Sequence, residues 1–271
     1  MKVYSAILIL IVAFLVLATD SFSQAWNFQI VNAAGGYNSQ IATTSDGTPY
    51  VLYRMGYQGD IYLAWWIAAG SGHGTWEKKL IYEGCGSANM EMLVDSSDNL
   101  HMAFFSCNNL TIYYCVFNSS TKTITLNEVV STGESAWGGL DLAISEDGEA
   151  VAPAIVYAGA ILKITTRDPA SGIWSADTIY ASNTPAAPSI AVDETGHYHI
   201  SFCEGISIYA TNSLMYATNA NPGNMWVSEY VEAGGNVGSY NSIVIEEGDI
   251  PYIVYYDGPN GDLKYARLVT P

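Results

Sequence analysis

Three registers of one repeat run through this sequence, each with a period of about fifty residues. The first is a short turn motif closed by His, Tyr or, once, Val. It appears as Thr44–Tyr50, Asp95–His101, Ser145–Val151, Asp193–His199 and Glu246–Tyr252, with first positions 51, 50, 48 and 53 residues apart. The second is an apolar strand at Ile61–Ala64, Ile112–Cys115, Leu162–Thr165, Leu214–Ala217 and Leu263–Ala266, with steps of 51, 50, 52 and 49. The third is a Trp that opens a strand, at Trp26, Trp76, Trp174 and Trp226; the second repeat has Thr-rich residues near Thr125 instead. One four-stranded sheet leaves both of its faces bare, so units of this kind must stack in a ring.

The repeat predicts an all-β chain, a five-bladed β-propeller with four-stranded antiparallel blades. In the fourth repeat the strands are expected at Ser189–Val192, His199–Phe202, Leu214–Ala217 and Trp226–Glu232. Turn residues such as Glu194-Thr-Gly196 and Asn221-Pro-Gly223 separate them, supplying the φ values a reversal needs. The fifth repeat ends at Pro271 without its Trp strand, while Trp26–Val31 is a Trp strand with no repeat of its own. The N-terminal strand is therefore expected to close the last blade and remove an open sheet edge.

Residues 1–25 read as a signal peptide and 26–271 as a single propeller domain. Lys2 gives a positive start, Ala6–Ala18 is an apolar run too short for a stable membrane span, and Ser23-Gln24-Ala25 offers small residues for cleavage. A secreted or periplasmic protein is expected. Its net charge of −17, from 26 acidic and 9 basic residues, argues against nucleic acid and against anionic membrane surfaces as partners. No cofactor motif is present, and a monomer is expected. Four cysteines allow two disulfides. Cys85 and Cys107 fall on the same face of the propeller and form the favoured pair, Cys107–Cys115 competes with it, and Cys203 has no obvious partner.

The innermost strand of each blade lines a propeller's channel. Ten residues before each closing position of the turn motif stand Gln40, Glu91, Asp141, Ser189 and Ser242, followed by Ile41, Met92, Leu142, Ile190 and Ile243. Strand alternation puts the polar set and the apolar set on different sides. Glu91 and Asp141 are the catalytic candidates, because neighbouring carboxyls can split their pKa values for acid and base work. The face that carries the second-to-third strand connections collects Arg54, Met55, Tyr57, Phe105, Tyr157, Tyr209, Tyr256 and Asp257. Tyr37, Trp137 and Tyr240 join them from the segments between blades. Of these, Arg54, Tyr57, Trp137, Tyr240, Tyr256 and Asp257, together with Gln40, Glu91 and Asp141, form the expected ligand-binding set, since rings with nearby amides and hydroxyls suit sugars. His197 and His199 are close enough to share a metal, but a structural role fits better because Tyr50, His101 and Tyr252 take the His199 position. No metal site is expected. Asn109-Leu-Thr and Asn118-Ser-Ser are glycosylation acceptors in a host that modifies exported chains.

The pattern Asp193–Phe202, Leu214–Ala217 and Trp226 resembles the sialidase-like repeats of secreted microbial β-propellers. In repeat number and length the chain is also similar to five-bladed tachylectins, which implies sugar binding at several equivalent sites. True sialidases carry an arginine triad; here Arg54, Arg167 and Arg267 lie in non-equivalent strands. Five-bladed arabinan-type glycoside hydrolases place three carboxylates on inner strands. Glu91 and Asp141 would supply two, with Gln40 where the third is expected. Together these features favour a secreted, non-catalytic, lectin-like protein that binds carbohydrate or a cell-surface glycan. The alternatives are a propeller glycoside hydrolase using Glu91 and Asp141, and an extracellular interaction or adhesion scaffold.

Overall fold

The structure is a computed structural model that describes residues 28–57, 59–69, 73–148, 150–205, 212–246 and 248–269. The chain divides into two units, Met1–Ala33 and Ala34–Pro271. In the first unit, residues 28–33 are described and hold no strand. The expected signal peptide lies outside the described residues, as do Trp26 and Asn27 of the expected closing strand.

The second unit is all-β, a five-bladed propeller. Its strands are β1 (Tyr37–Thr43), β2 (Pro49–Arg54), β3 (Ile61–Ala69) and β4 (His73–Tyr82); then β5 (Gly86–Val94), β6 (Asn99–Ser106), β7 (Thr111–Asn118) and β8 (Thr123–Thr132). The third blade holds β9 (Gly139–Asp147), β10 (Ala150–Ala158), β11 (Leu162–Arg167) and β12 (Trp174–Tyr180). The fourth holds β13 (Pro185–Val192), β14 (Tyr198–Glu204), β15 (Ser213–Thr218) and β16 (Val227–Glu232). Four blades are therefore four-stranded antiparallel meanders. The fifth, β17 (Val237–Glu246), β18 (Ile250–Asp257) and β19 (Asp262–Arg267), has three strands among the described residues.

The turn motif has a clear physical basis. Asp95 Oδ1 accepts the amides of Ser97 (2.9 Å) and Asn99 (2.7 Å), closing the β5–β6 turn, while Oδ2 holds His101 Nε2 at 3.0 Å. Asp193 repeats this in the fourth blade, with the amides of Thr195 and His197 at 2.9 Å and His199 Nε2 at 3.1 Å. Each imidazole then meets a tyrosine of the third strand: His101 Nδ1 meets Tyr114, and His199 Nδ1 meets Tyr216 Oη at 2.6 Å. One carboxylate thus shapes the turn and fixes a buried histidine. His199 is accordingly structural, as the repeat suggests. Burial opposes the Asp193 charge, but the bonds from His199, Thr195 and the backbone outweigh it and bring this carboxyl down to about 2.

Apolar residues pack between blades rather than in one centre. Tyr50, Leu52, Leu63, Met92, Met102 and Phe117 join the first blade to the second, and Ala103, Phe105, Tyr114, Leu142 and Tyr157 join the second to the third. Val156, Ile164, Ile190 and Phe202 join the third to the fourth, and Leu214, Tyr216, Ile243 and Tyr255 the fourth to the fifth. Polar locks reinforce these seams. Arg167 grips Glu128 with Nε at 2.9 Å and Nη2 at 3.1 Å, and Trp174 Nε1 donates to the same carboxylate at 2.8 Å.

The favoured disulfide forms between Cys85 and Cys107, whose Cα atoms are 5.4 Å apart; Cys115 and Cys203 are buried thiols. The bridge occupies a position that the repeat uses elsewhere without sulfur. The Cys107 amide donates to Cys85 O at 2.9 Å, and the Gly205 and Gly258 amides donate to Asn183 O (3.0 Å) and Asn236 O (3.1 Å). The disulfide reinforces a contact that the backbone already makes.

Candidate functional site

The inner strands of all five blades meet at one cavity of about 360 Å³, lined by Asn38, Gln40, Asn89, Glu91, Gly138, Leu140, Pro188 and Asn241 among others. Its mouth is shaped by an irregularity repeated in four of the five inner strands. The pairing register shifts between Tyr37 and Gln40, Gly86 and Met90, Ala186 and Ser189, and Ser239 and Ser242. Within these bulges Asn38, Ala187 and Tyr240 have φ of 45°, 48° and 53°. Gly139, at the same place in the third blade, has φ 132°, and a Cβ there would lie 2.7 Å from Pro188 Cδ. Bulges re-aim side chains, and here they turn polar groups toward neighbouring blades.

The five expected ring positions stand on the innermost strands; Gln40 and Glu91 line the cavity, whereas Ser242 lines a groove of the fifth blade, and the partner on the second strand lies 12 residues on in four blades and 15 in the third. Gln40, Glu91, Asp141, Ser189 and Ser242 pair with Leu52, Ala103, Val156, Ser201 and Val254 on the second strands. Most of the ring ties one blade to the next. Gln40 Nε2 donates to Glu91 Oε1 at 2.8 Å and to Met90 O at 3.3 Å. Asp141 Oδ2 accepts the Ile190 amide at 2.8 Å, its Oδ1 accepts the Leu142 amide at 2.8 Å, and Ser189 Oγ accepts the Ile243 amide at 3.4 Å.

Glu91 and Asp141 therefore sit in different surroundings. Burial pushes the Asp141 carboxyl above its usual range, while the amides of Ile190 and Leu142 and the Ser189 hydroxyl pull the other way. Burial, and then the charge of Asp141, push Glu91 up to about 8. Asp141 thus has backbone donors to its carboxyl that Glu91 lacks, and Glu91 keeps its proton through neutrality. An acid lining a cavity beside a fixed negative charge can deliver a proton to a bound oxygen.

The expected ligand-binding residues divide in two. Arg54 is buried: Nη1 donates to Gly86 O at 3.1 Å and Nη2 to Asn38 Oδ1 at 2.8 Å, so it braces the first two blades instead of facing a ligand. Asp257 is also interior, held by Lys264 Nζ and Asn260 Nδ2 at 2.9 Å each. A charge at a strand end turns inward when backbone carbonyls or a lysine can pair it there. Phe105 and Tyr157 are core residues, and Tyr209 lies outside the described residues. Tyr57, Trp137, Tyr240, Tyr256 and Tyr37 are exposed. Trp137 precedes the cavity-lining Gly138 and makes an edge contact with Phe105, centroids 5.4 Å apart; Tyr240 precedes Asn241 and meets Tyr256 edge-on at 6.3 Å. Sequence reasoning missed Asn38, Asn89 and Asn241, which line the cavity at the bulges. An asparagine one or two places before Gln40, Glu91 and Ser242 was the available signal.

No protein-family model matches the chain, and no curated protein matches it. Solved structures do. The GH93 α-L-arabinofuranosidase of Fusarium graminearum with arabinobiose aligns at a TM-score of 0.53 and 11% identity, over 85% of this chain and 80% of that one. An α-L-arabinanase of Penicillium chrysogenum with arabinobiose aligns at 0.53 and 10% identity, over 85% and 77%. The NanB sialidase of Streptococcus pneumoniae aligns at 0.52 and 11% identity, over 91% and 58%. At these identities the likeness is one of fold. The expectation of a non-catalytic, lectin-like binder is corrected here, because these structures that share the fold are glycosidases.

Proposed function

We propose that the chain is an exported glycoside hydrolase of the propeller type, acting on a neutral glycan. The observation that carries this reading is Glu91, a carboxyl lining the central cavity and held up to about 8 by burial and by Asp141. Glu91 gives its proton to the glycosidic oxygen as the bond to the anomeric carbon breaks, and water then adds to that carbon and returns a proton to Glu91. Asp141, fixed by two backbone amides, carries the negative charge that stabilises the positive anomeric centre.

A neutral substrate fits the lining, in which no basic residue occurs among the described residues. A volume of about 360 Å³ lies within the range of small-molecule sites, roughly 300–1,000 Å³. Trp137, Tyr240 and Tyr37 offer ring faces at the mouth for further sugar units. The glycosidases of like fold with arabinobiose make arabinose-containing chains the first substrates to try. The disulfide suits an oxidising compartment, which supports export through the N-terminal segment.

Incubating the mature protein with arabinan, galactan and a panel of neutral aryl glycosides tests the proposal. Release of sugar by the native protein, lost in Glu91→Gln, is the expected result. Release that survives Glu91→Gln, or no release from any neutral glycoside, overturns it.

A further inference from the structure

Several amides line the central cavity, and some are fully used within the protein. Asn241 Nδ2 donates to Ala187 O at 2.8 Å and to Gly238 O at 3.0 Å, while its Oδ1 accepts the Ser201 hydroxyl. Asn38 and Gln40 of the first blade differ. Both line the cavity, Asn38 within the bulge of β1 at φ 45° and Gln40 just after it. Each has one end of its amide fixed and the other end open.

The chemistry of the neighbours decides which end is open. A guanidinium only donates, so Arg54 Nη2, at 2.8 Å, must meet the oxygen of Asn38, which leaves Nδ2 open. A backbone carbonyl only accepts, so Met90 O must meet the nitrogen of Gln40, which leaves Oε1 open. Neither open atom has a partner among the described residues; Asn38 is exposed and Gln40 half-buried. Arg54 is itself buried, with Nη1 on Gly86 O at 3.1 Å, so it can reach a ligand only through Asn38.

One wall of the cavity thus offers a donor, Asn38 Nδ2, and an acceptor, Gln40 Oε1. A hydroxyl is the group that uses both, accepting from the first and donating to the second; an ether oxygen cannot donate and an ammonium cannot accept. Gln40 Nε2 also holds Glu91 Oε1 at 2.8 Å, which ties this pair to the acid. We propose that Asn38 and Gln40 read one hydroxyl of the sugar whose glycosidic oxygen meets Glu91, and that Arg54 is the positioning residue for Asn38. The proposal rests on the glycosidase reading for the nature of the ligand. Its test is read by binding, so that the two can fail separately.

The test is isothermal calorimetry on the mature Glu91→Gln protein. The probes are para-nitrophenyl α-L-arabinofuranoside and para-nitrophenyl β-D-galactopyranoside, with each monodeoxy form of the tighter binder. Removal of one particular hydroxyl is expected to weaken binding about tenfold, as the loss of one or two hydrogen bonds would. Asn38→Gly, which suits the positive φ, is expected to weaken the parent sugar about tenfold and to leave that one deoxy form as it was. The other deoxygenations should cost the same as before. Arg54→Lys keeps the charge without the fork that holds both Gly86 O and Asn38, so it should lose selectivity at the same hydroxyl and at no other. If Asn38→Gly does not fold, Gln40→Met removes the other half of the pair, and the same pattern is expected. Unchanged affinity in Asn38→Gly, equal losses for every deoxy form, or no binding of either sugar each overturn the proposal. Hydrolysis by the native protein that ignores Asn38 would remove the pair and leave the glycosidase reading; selective binding without hydrolysis would do the reverse.

Discussion

The Gln40 amide donates to Glu91 Oε1 at 2.8 Å and so joins the innermost strands of the first two blades at the carboxyl that stays protonated near neutrality. Because that oxygen is held as an acceptor, the proton of Glu91 resides on the other one. Gln40→Leu removes the restraint while keeping bulk, and kcat is expected to fall roughly tenfold, a fraction of what a proton donor contributes. Gln40→Glu adds a like charge, which pushes Glu91 further up, so the alkaline limb of the pH–rate profile moves to higher pH. A limb that stays in place would remove Gln40 from the machinery.

Glu91 itself sets the alkaline limb. Activity is expected to decline through about pH 8, as the proton is lost, and to drop about 10²–10⁴-fold in Glu91→Gln. The same shift acts on stability. The folded value is raised above the unfolded one of about 4.3, so the folded state binds the extra proton and loses stability as pH rises from there to about 8. Thermal melts between pH 5 and 9 should therefore show Glu91→Gln gaining on the native protein as pH increases.

Asp193 behaves in the opposite way. Its folded value, lowered to about 2, gives stability that is complete above the unfolded value of about 3.9 and is lost as pH falls through about 2. Asp193→Asn is expected to lower Tm at pH 7 on the order of 5 °C, since the turn and His199 both lose their anchor. The difference from the native protein should shrink between pH 4 and 2. A constant gap across that range would mean that the charge contributes nothing.

The Cys85–Cys107 bridge closes a chain separation of 22 residues and should contribute about 2–4 kcal/mol. Cys107→Ser keeps the backbone bond to Cys85 O, as the Gly205 and Gly258 counterparts do, so the variant is expected to fold with a lower urea midpoint. Reductant should bring the native protein to the same midpoint and leave the variant where it is.

Trp137→Ala and Tyr240→Ala remove ring faces at the mouth without touching the carboxyl pair. Each is expected to raise KM for oligosaccharides severalfold, with kcat nearly unchanged and little effect on a monosaccharide aryl glycoside. Equal losses on long and short substrates would place the rings outside the binding path.

How much of this was legible in the sequence differs from residue to residue. The ring of Gln40, Glu91, Asp141, Ser189 and Ser242 was, because a fixed period and strand alternation determine which side chains share a face. The fates of Arg54 and Asp257 were not. Both stand at strand ends beside exposed aromatics, and only the positions of Gly86 O, Asn38 and Lys264 turn them inward. Nor does the sequence separate Glu91 from Asp141, since the Ile190 amide that reaches Asp141 comes from the next blade.

The sequence by itself determined the repeat, the four-strand unit and the alternation of polar and apolar positions along each inner strand, since these follow from local spacing. Tertiary structure alone decided which repeats bury their apolar pair. Val244 and Ile41 are as apolar as the residues that fill the other four seams, yet they stand exposed. Burial depends on whether another sheet lies opposite, which local spacing along the chain does not determine.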